Sequence, residues 1–154
     1  MEVRTVGVVG LGTMGAGIAQ LCIQAGLETV GREVTLELAE RAQGGIAHFL
    51  GRAVEKGKLD AAERDAALGR LRLTTELADL AGCDVVIEAI VEELGPKREL
   101  FAALSGIVRP DAVLATNTSA LSVTEIAAAA SRPERVVGMH FFNPAPVMPL
   151  VEIV

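Results

Sequence analysis

Gly10-Leu11-Gly12-Thr13-Met14-Gly15 stands between a β-branched run, Val3 to Val9, and a stretch from Thr13 to Ala25. In that stretch Ile18, Leu21, Cys22 and Ala25 recur at helical spacing before Gly26. A G-x-G-x-x-G pattern says little alone. Between a strand and a helix it opens a βαβ unit that binds a dinucleotide. The first glycine makes the tight turn, the second lets backbone approach a pyrophosphate, and the third lets helix and strand pack closely, with the helix N-terminus facing the anion. Gly10, Leu11, Gly12, Thr13, Met14 and Gly15 are therefore the candidate pyrophosphate residues.

The next strand is predicted over Glu28 to Glu33, with Gly31 and Arg32 as its irregular members. Glu33 falls where a carboxylate accepts hydrogen bonds from the adenosine ribose hydroxyls and repels a 2′-phosphate, which favours NAD over NADP. Arg32 beside it is a guanidinium that would accommodate such a phosphate if it swung inward.

Further along, Leu38, Ala39, Ala42, Ile46, Phe49, Leu50, Ala53 and Val54 draw one apolar stripe down a long helix from Thr35 to Lys56, ended by Gly57. A shorter helix is predicted over Asp60 to Leu68. Strands are predicted at Leu71 to Leu73, Asp84 to Ile90, Ala112 to Ala115 and Arg135 to Met139. Leu100, Phe101, Leu104, Ile107 and Val108 mark a helix, Ser122 to Ala130 another, and Leu150 to Val154 a last apolar run. Strands alternating with helices specify an α/β domain with a doubly wound, mostly parallel sheet. Its 154 residues are one domain's worth of chain, so residues 1–154 are read as a single dinucleotide-binding domain.

Composition narrows the partners. With 20 Asp+Glu against 14 Lys+Arg, and no Trp or Tyr, the chain repels phosphate backbones and anionic lipid and offers little for base stacking. Neither nucleic acid nor membrane is an expected partner. Cys22 and Cys83 lie far apart outside any metal-like cluster, so no metal is expected and both read as buried, reduced thiols. Without a recognisable leader or spanning segment, a cytoplasmic protein is expected.

Ligands of open α/β sheets collect at the carboxyl ends of the strands. Five polar sets are expected there: the glycine turn, Glu33, Glu88 to Lys97, Asn117-Thr118-Ser119, and His140-Phe141-Phe142-Asn143. His140 is the acid/base candidate, since an unperturbed imidazole titrates near about pH 6.5. His48, inside the long helix, reads as structural. Glu152 either orients the ring of His140 or is a solvated strand residue. Ser119 either hydrogen-bonds a reacting oxygen or caps the helix that begins near Leu121. Lys56, with Arg52 and Lys58, either meets a phosphate-bearing substrate or offsets a helix dipole.

Gly10 to Ala19, Glu88-Ala89-Ile90-Val91-Glu92 with Lys97 and Leu100-Phe101, Thr116 to Ser119, and His140 to Pro144 ending in Leu150-Val151-Glu152 strongly resemble the NAD-binding domain of L-3-hydroxyacyl-CoA dehydrogenases. The resemblance covers essentially the whole chain. It implies a Rossmann-type domain with NAD as cofactor and an acyl-CoA substrate. His140 would be the base for the 3-hydroxyl, Glu152 its carboxylate partner, and Ser119 a catalytic hydroxyl that binds the substrate oxygen. By the same resemblance Glu92, Lys97 and Asn143 line the nicotinamide half of the cofactor site, with Asn117 and Ser119 beside them. Lys56 would lie near the CoA phosphates.

Departures fall on the adenosine end, where the family usually has Asp at Glu33 and a hydrophobic or aromatic pair at Gly31 and Arg32. Ala120 and Pro149 also differ, at positions to which no chemistry is assigned, and Phe49 stands where some members of the family have a polar CoA contact. Members carry a C-terminal helical domain that completes the acyl-CoA site and forms the homodimer, and it is absent here. Two other readings are a dehydrogenase of a small hydroxy acid or polyol without CoA, and a non-catalytic NAD-binding module.

Overall fold

In the computed structural model, which describes residues 1–154, the chain runs β1 (Thr5–Val9), α1 (Thr13–Gln24), β2 (Glu28–Arg32), α2 (Leu36–Glu55), α3 (Ala61–Gly69) and β3 (Leu71–Thr74). It continues through β4 (Val85–Glu88), α4 (Leu94–Ser105), β5 (Val113–Thr116), α5 (Val123–Ala127), β6 (Val136–Phe141) and β7 (Val151–Ile153). One sheet holds all the strands in the order β3-β2-β1-β4-β5-β6-β7. Every pairing is parallel except β6 with β7. This is the doubly wound, Rossmann-type sheet expected, and its order reverses between β1 and β4, where such folds place their ligand crevice. β7 turns back antiparallel because residues 142–150 are too few for a crossover, which needs about a dozen or more.

Several boundaries differ from the sequence expectation. β4 stops at Glu88, whose carboxylate bends back to accept the Ile90 N–H at 2.8 Å. α4 begins at Leu94 and ends at Ser105; beyond Gly106 the N–H groups of Ile107 and Val108 both return to the Leu104 carbonyl. α5 spans only Val123–Ala127 of the stretch to Ala130. Short 3₁₀ turns at Leu77–Leu80 and Pro133–Arg135 carry no periodic pattern that sequence could reveal. His48 lies on α2, as expected, with its side chain exposed.

Each face of the sheet has its own core. Val6, Val8, Ile18, Ile23, Ile46 and Leu50 pack on one side under α1 and α2. Val9, Val86, Phe101, Leu104, Leu114 and Ile126 pack on the other under α4 and α5. Cys22 belongs to the first core and Cys83 to the second, so the sheet separates the two free thiols. Burial pushes both up to about 11. No helix is long and apolar enough to cross a membrane.

At the amino ends of β1 and β4, Asp84 accepts the backbone N–H groups of Arg4 (2.8 Å) and Thr5 (3.0 Å) and a guanidinium N–H of Arg109 (2.6 Å). These bonds, with that from Arg4 foremost, hold its carboxyl down to about 2. A carboxyl depressed on folding stabilises the native state above its unfolded value, and that stabilisation drains away as the pH falls. Urea midpoints measured against pH should therefore fall between about pH 4 and 2. Asp84→Asn should be less stable at neutral pH and show a shallower acid slope; an unchanged slope would assign the acid loss to other carboxylates.

Candidate active site

Gly10 leaves β1 at φ +89°, and a Cβ there would lie 2.7 Å from the Ala89 carbonyl oxygen. At Gly15 the constraint is harsher, because a Cβ would sit 1.6 Å from the Gly10 carbonyl oxygen. Gly12 differs from both: a Cβ there meets nothing within 4 Å. The open space over Gly12 borders the start of α1, which has neither a capping side chain nor an acid in its first turn. Free helical N–H groups facing open space suit the pyrophosphate of a dinucleotide. These residues fit the cofactor.

Glu33 follows directly on β2 and lies against this loop. Its two oxygens accept the N–H groups of Leu11 and Val34, each at 2.9 Å, so the acid also braces the glycine turn. Leu11 explains Gly31: a Cβ at Gly31 would meet the Leu11 side chain at 3.0 Å, which occupies the room a bulkier residue would take. Arg32 donates its Nε to the Thr75 carbonyl at 3.1 Å.

A cavity of about 710 Å³ lies on one side of the loop, lined by Gly10, Gly12, Arg32, Glu33, Ala89 and Ile90. A smaller cleft of about 290 Å³ lies on the other, where Met14, Glu92, Asn117, Ser119, His140 and Asn143 meet. Ala89 and Ile90 border both, so the two form one trench across the ends of β1 and β4. A third groove, about 490 Å³, runs between α1 and α2 past Leu38, Phe49 and Asn143. Lys56 caps the far end of α2 and lines none of the three.

His140 on β6 is paired in register with Glu152 on β7. Directly opposed residues of an antiparallel pair send their side chains to the same face, and Nδ1 lies 3.8 Å from the Glu152 Oε1. That is an ion-pair approach, longer than the direct hydrogen bond an orienting carboxylate would make. The reason is the edge: Glu152 is 62% exposed, against 24% for His140, and nothing packs its rotamer inward. Phe142 leans on the imidazole with ring centroids 4.7 Å apart, and Asn117 Oδ1 accepts the Phe141 N–H at 2.9 Å, tying β6 to the end of β5.

Ser119 does not cap α5, since Ser122 does, accepting the Glu125 N–H at 3.2 Å. Ser119 instead donates its hydroxyl (3.0 Å) and its N–H (2.9 Å) to Glu92, which also accepts from the Thr118 hydroxyl at 2.9 Å. Partial burial pushes the Glu92 carboxyl up, but the Ser119 N–H, the two hydroxyls and the Lys97 charge outweigh it and hold it down to about 2.

Beneath them, Lys97 is only 1% exposed and its ammonium faces inward. It lies 2.5 Å from Glu88 and 3.3 Å from Glu92. Glu88 is fully buried and also accepts the Thr116 hydroxyl at 2.6 Å. Glu88, Thr116 and Thr118 thus support the site from below; the sequence placed Glu88 and Thr118 at this edge but gave no sign of the buried pairing of Glu88 with Lys97 and Thr116. Lys97→Met should cost about 3–5 kcal/mol in urea unfolding, because it leaves Glu88 charged and alone in the interior. The double variant Lys97→Met/Glu88→Leu should recover much of that loss, and a single variant as stable as wild type would refute the pairing.

The family model for the 3-hydroxyacyl-CoA dehydrogenase NAD binding domain matches residues 5–154. A 3-hydroxybutyryl-CoA dehydrogenase of Mycobacterium tuberculosis is 49% identical over 99% of this chain, which spans 54% of that protein. The solved structure of the Escherichia coli K12 3-hydroxybutyryl-CoA dehydrogenase superposes with a TM-score of 0.98 at 46% identity, over 99% of this chain and 32% of that one. For the (S)-3-hydroxybutyryl-CoA dehydrogenase from Ralstonia eutropha the TM-score is 0.96 at 43% identity, over 99% of this chain and 54% of that one. The chain thus spans from about a third to about half of the relatives it matches. On this match of sequence, sheet and glycine loop, the chain belongs to the family of 3-hydroxyacyl-CoA dehydrogenase NAD-binding domains.

Proposed function

We propose that residues 1–154 form the dinucleotide-binding domain of an NAD-dependent dehydrogenase that interconverts (S)-3-hydroxyacyl-CoA and 3-oxoacyl-CoA. The observation that carries this reading is His140, in register with Glu152, on the cleft that Ser119 shares beside the glycine loop. NAD, when bound, supplies the hydride acceptor. His140 takes the proton of the 3-hydroxyl, and Glu152 offsets the charge that forms on the ring, through solvent-screened attraction at 3.8 Å. Ser119 turns its hydroxyl to the substrate oxygen. It can leave Glu92 at small cost, because the carboxylate keeps the Thr118 hydroxyl, the Ser119 N–H and Lys97.

Glu92 and Asn143, with Asn117, border the nicotinamide half of the trench, and Lys97 acts there through Glu92. Glu33 holds the adenosine ribose, and Lys56 meets the CoA phosphates at the end of α2. Chain of the kind the relatives carry beyond this match completes the acyl-CoA site and the homodimer. The free thiols fit a cytoplasmic setting.

The full-length protein tests this with (S)-3-hydroxybutyryl-CoA and free 3-hydroxybutyrate, each with NAD. Turnover is expected for the thioester at about 1–1000 per second and not for the free acid. Equal turnover of the free acid would make it a small hydroxy-acid dehydrogenase, and NAD binding without turnover a non-catalytic module.

A further inference from the structure

A second polar pocket opens at the other end of the sheet. It measures about 210 Å³ and sits where the connections α4–β5 and α5–β6 meet, lined by Arg109, Arg132, Arg135, Ser105 and Ser131 with no carboxylate among its walls. In a chain with 20 acids and 14 bases such a lining runs against the overall charge.

Arg109 is already neutralised by Asp84 at 2.6 Å and Asp111 at 3.3 Å, and it gives a further N–H to the Gly82 carbonyl. Arg132 and Arg135 have no carboxylate partner within 4.0 Å. Arg135 gives one N–H to the Asp111 carbonyl, while its Nε is enclosed without any acceptor, the one buried side-chain polar atom left so. An enclosed donor without an acceptor costs the folded state. The arginines do not serve as caps for α4 either. Its last carbonyls are taken by the N–H groups of Gly106, Ile107 and Val108 and by the Ser105 hydroxyl. Ser105 also accepts the Ser131 N–H at 3.0 Å, which fixes the wall and leaves the Ser131 hydroxyl without a protein partner.

We propose that this pocket binds a phosphate-type oxyanion, either inorganic phosphate or the phosphomonoester end of a metabolite. Guanidinium forks and a free hydroxyl match the several acceptor oxygens of a tetrahedral anion. The site is separate from the dinucleotide trench: β5 and β6 begin beside the pocket and end at Thr116 and Phe141, next to Asn117 and His140 in the trench.

Amide NMR of the NAD-saturated protein at constant ionic strength tests this, with inorganic phosphate and glycerol phosphate as probes and chloride as control. Saturating NAD removes binding at the start of α1. Saturable shifts confined to residues 105–112 and 131–135 are expected, with Kd on the order of 1 mM. Arg132 is exposed, so Arg132→Gln should fold normally and weaken binding about tenfold. Tighter binding of glycerol phosphate than of phosphate would identify the phosphomonoester. Shifts elsewhere only, non-saturable shifts, or an Arg132→Gln variant with unchanged affinity would overturn the site.

Discussion

Gly15→Ala will lose NAD binding and much of the stability of the fold. The added methyl would stand 1.6 Å from the Gly10 carbonyl oxygen, and because that atom belongs to backbone, no side-chain rotation relieves the clash. α1 must move away from β1, or the turn at Gly10 must open; either change pulls the helix N-terminus from the position where it meets the pyrophosphate. Overpacking of side chains costs about 1–3 kcal/mol, and an overlap with backbone belongs at or beyond the top of that range. Gly12→Ala is the control. Its methyl meets no protein atom within 4 Å, so stability should stay within about 0.5 kcal/mol of wild type while NAD affinity falls, since the methyl occupies the space over the loop. Urea unfolding and calorimetric titration with NAD separate the two variants. A Gly15→Ala protein that binds NAD like wild type would refute the loop geometry, and an unaffected Gly12→Ala would move the pyrophosphate elsewhere.

His140→Ala in the full-length protein should reduce turnover by about 10²–10⁴-fold, the usual contribution of a positioned acid/base, and leave NAD affinity unchanged. This follows from the proposed role of the imidazole, which lies at the smaller cleft and away from the adenosine cavity. Glu152→Gln should cost far less. At 3.8 Å and 62% exposed, its carboxylate acts on the ring through water-screened attraction, worth about 1 kcal/mol or less and hence no more than about tenfold in rate. Steady-state rates on (S)-3-hydroxybutyryl-CoA measure both. An active His140→Ala protein would remove the proton-transfer role, and a Glu152→Gln loss as large as that of His140→Ala would mean that the Glu152 side chain turns in to hydrogen-bond the imidazole during turnover.

The sequence by itself determined the strand, glycine turn and helix at the N-terminus, the alternation that makes the sheet parallel, and the polar residues delivered to its carboxyl edge. Those features are encoded in backbone torsion preference and in periods of two and 3.6 residues, which act between near neighbours. What the sequence left open was decided by contacts between distant residues. The pairing of the strands that carry His140 and Glu152 came only with the structure. Lys97 reads locally as one polar side chain of α4, and only the packing of α4 on β4 turns its ammonium inward to Glu88. Ser119 reads as a helix cap or a ligand, until the ends of β4 and β5 bring Glu92 beneath it. Glu152 reads as a partner of His140 or as a solvated strand residue, and its position on an edge strand leaves it 3.8 Å from the ring and largely in water. Arg109 is more than twenty residues from Arg132 and Arg135 and shares a pocket with them only because two parallel strands begin side by side. In each case the partner lies on another element, and the free energy of the contact depends on burial and charge that exist only once the sheet has assembled.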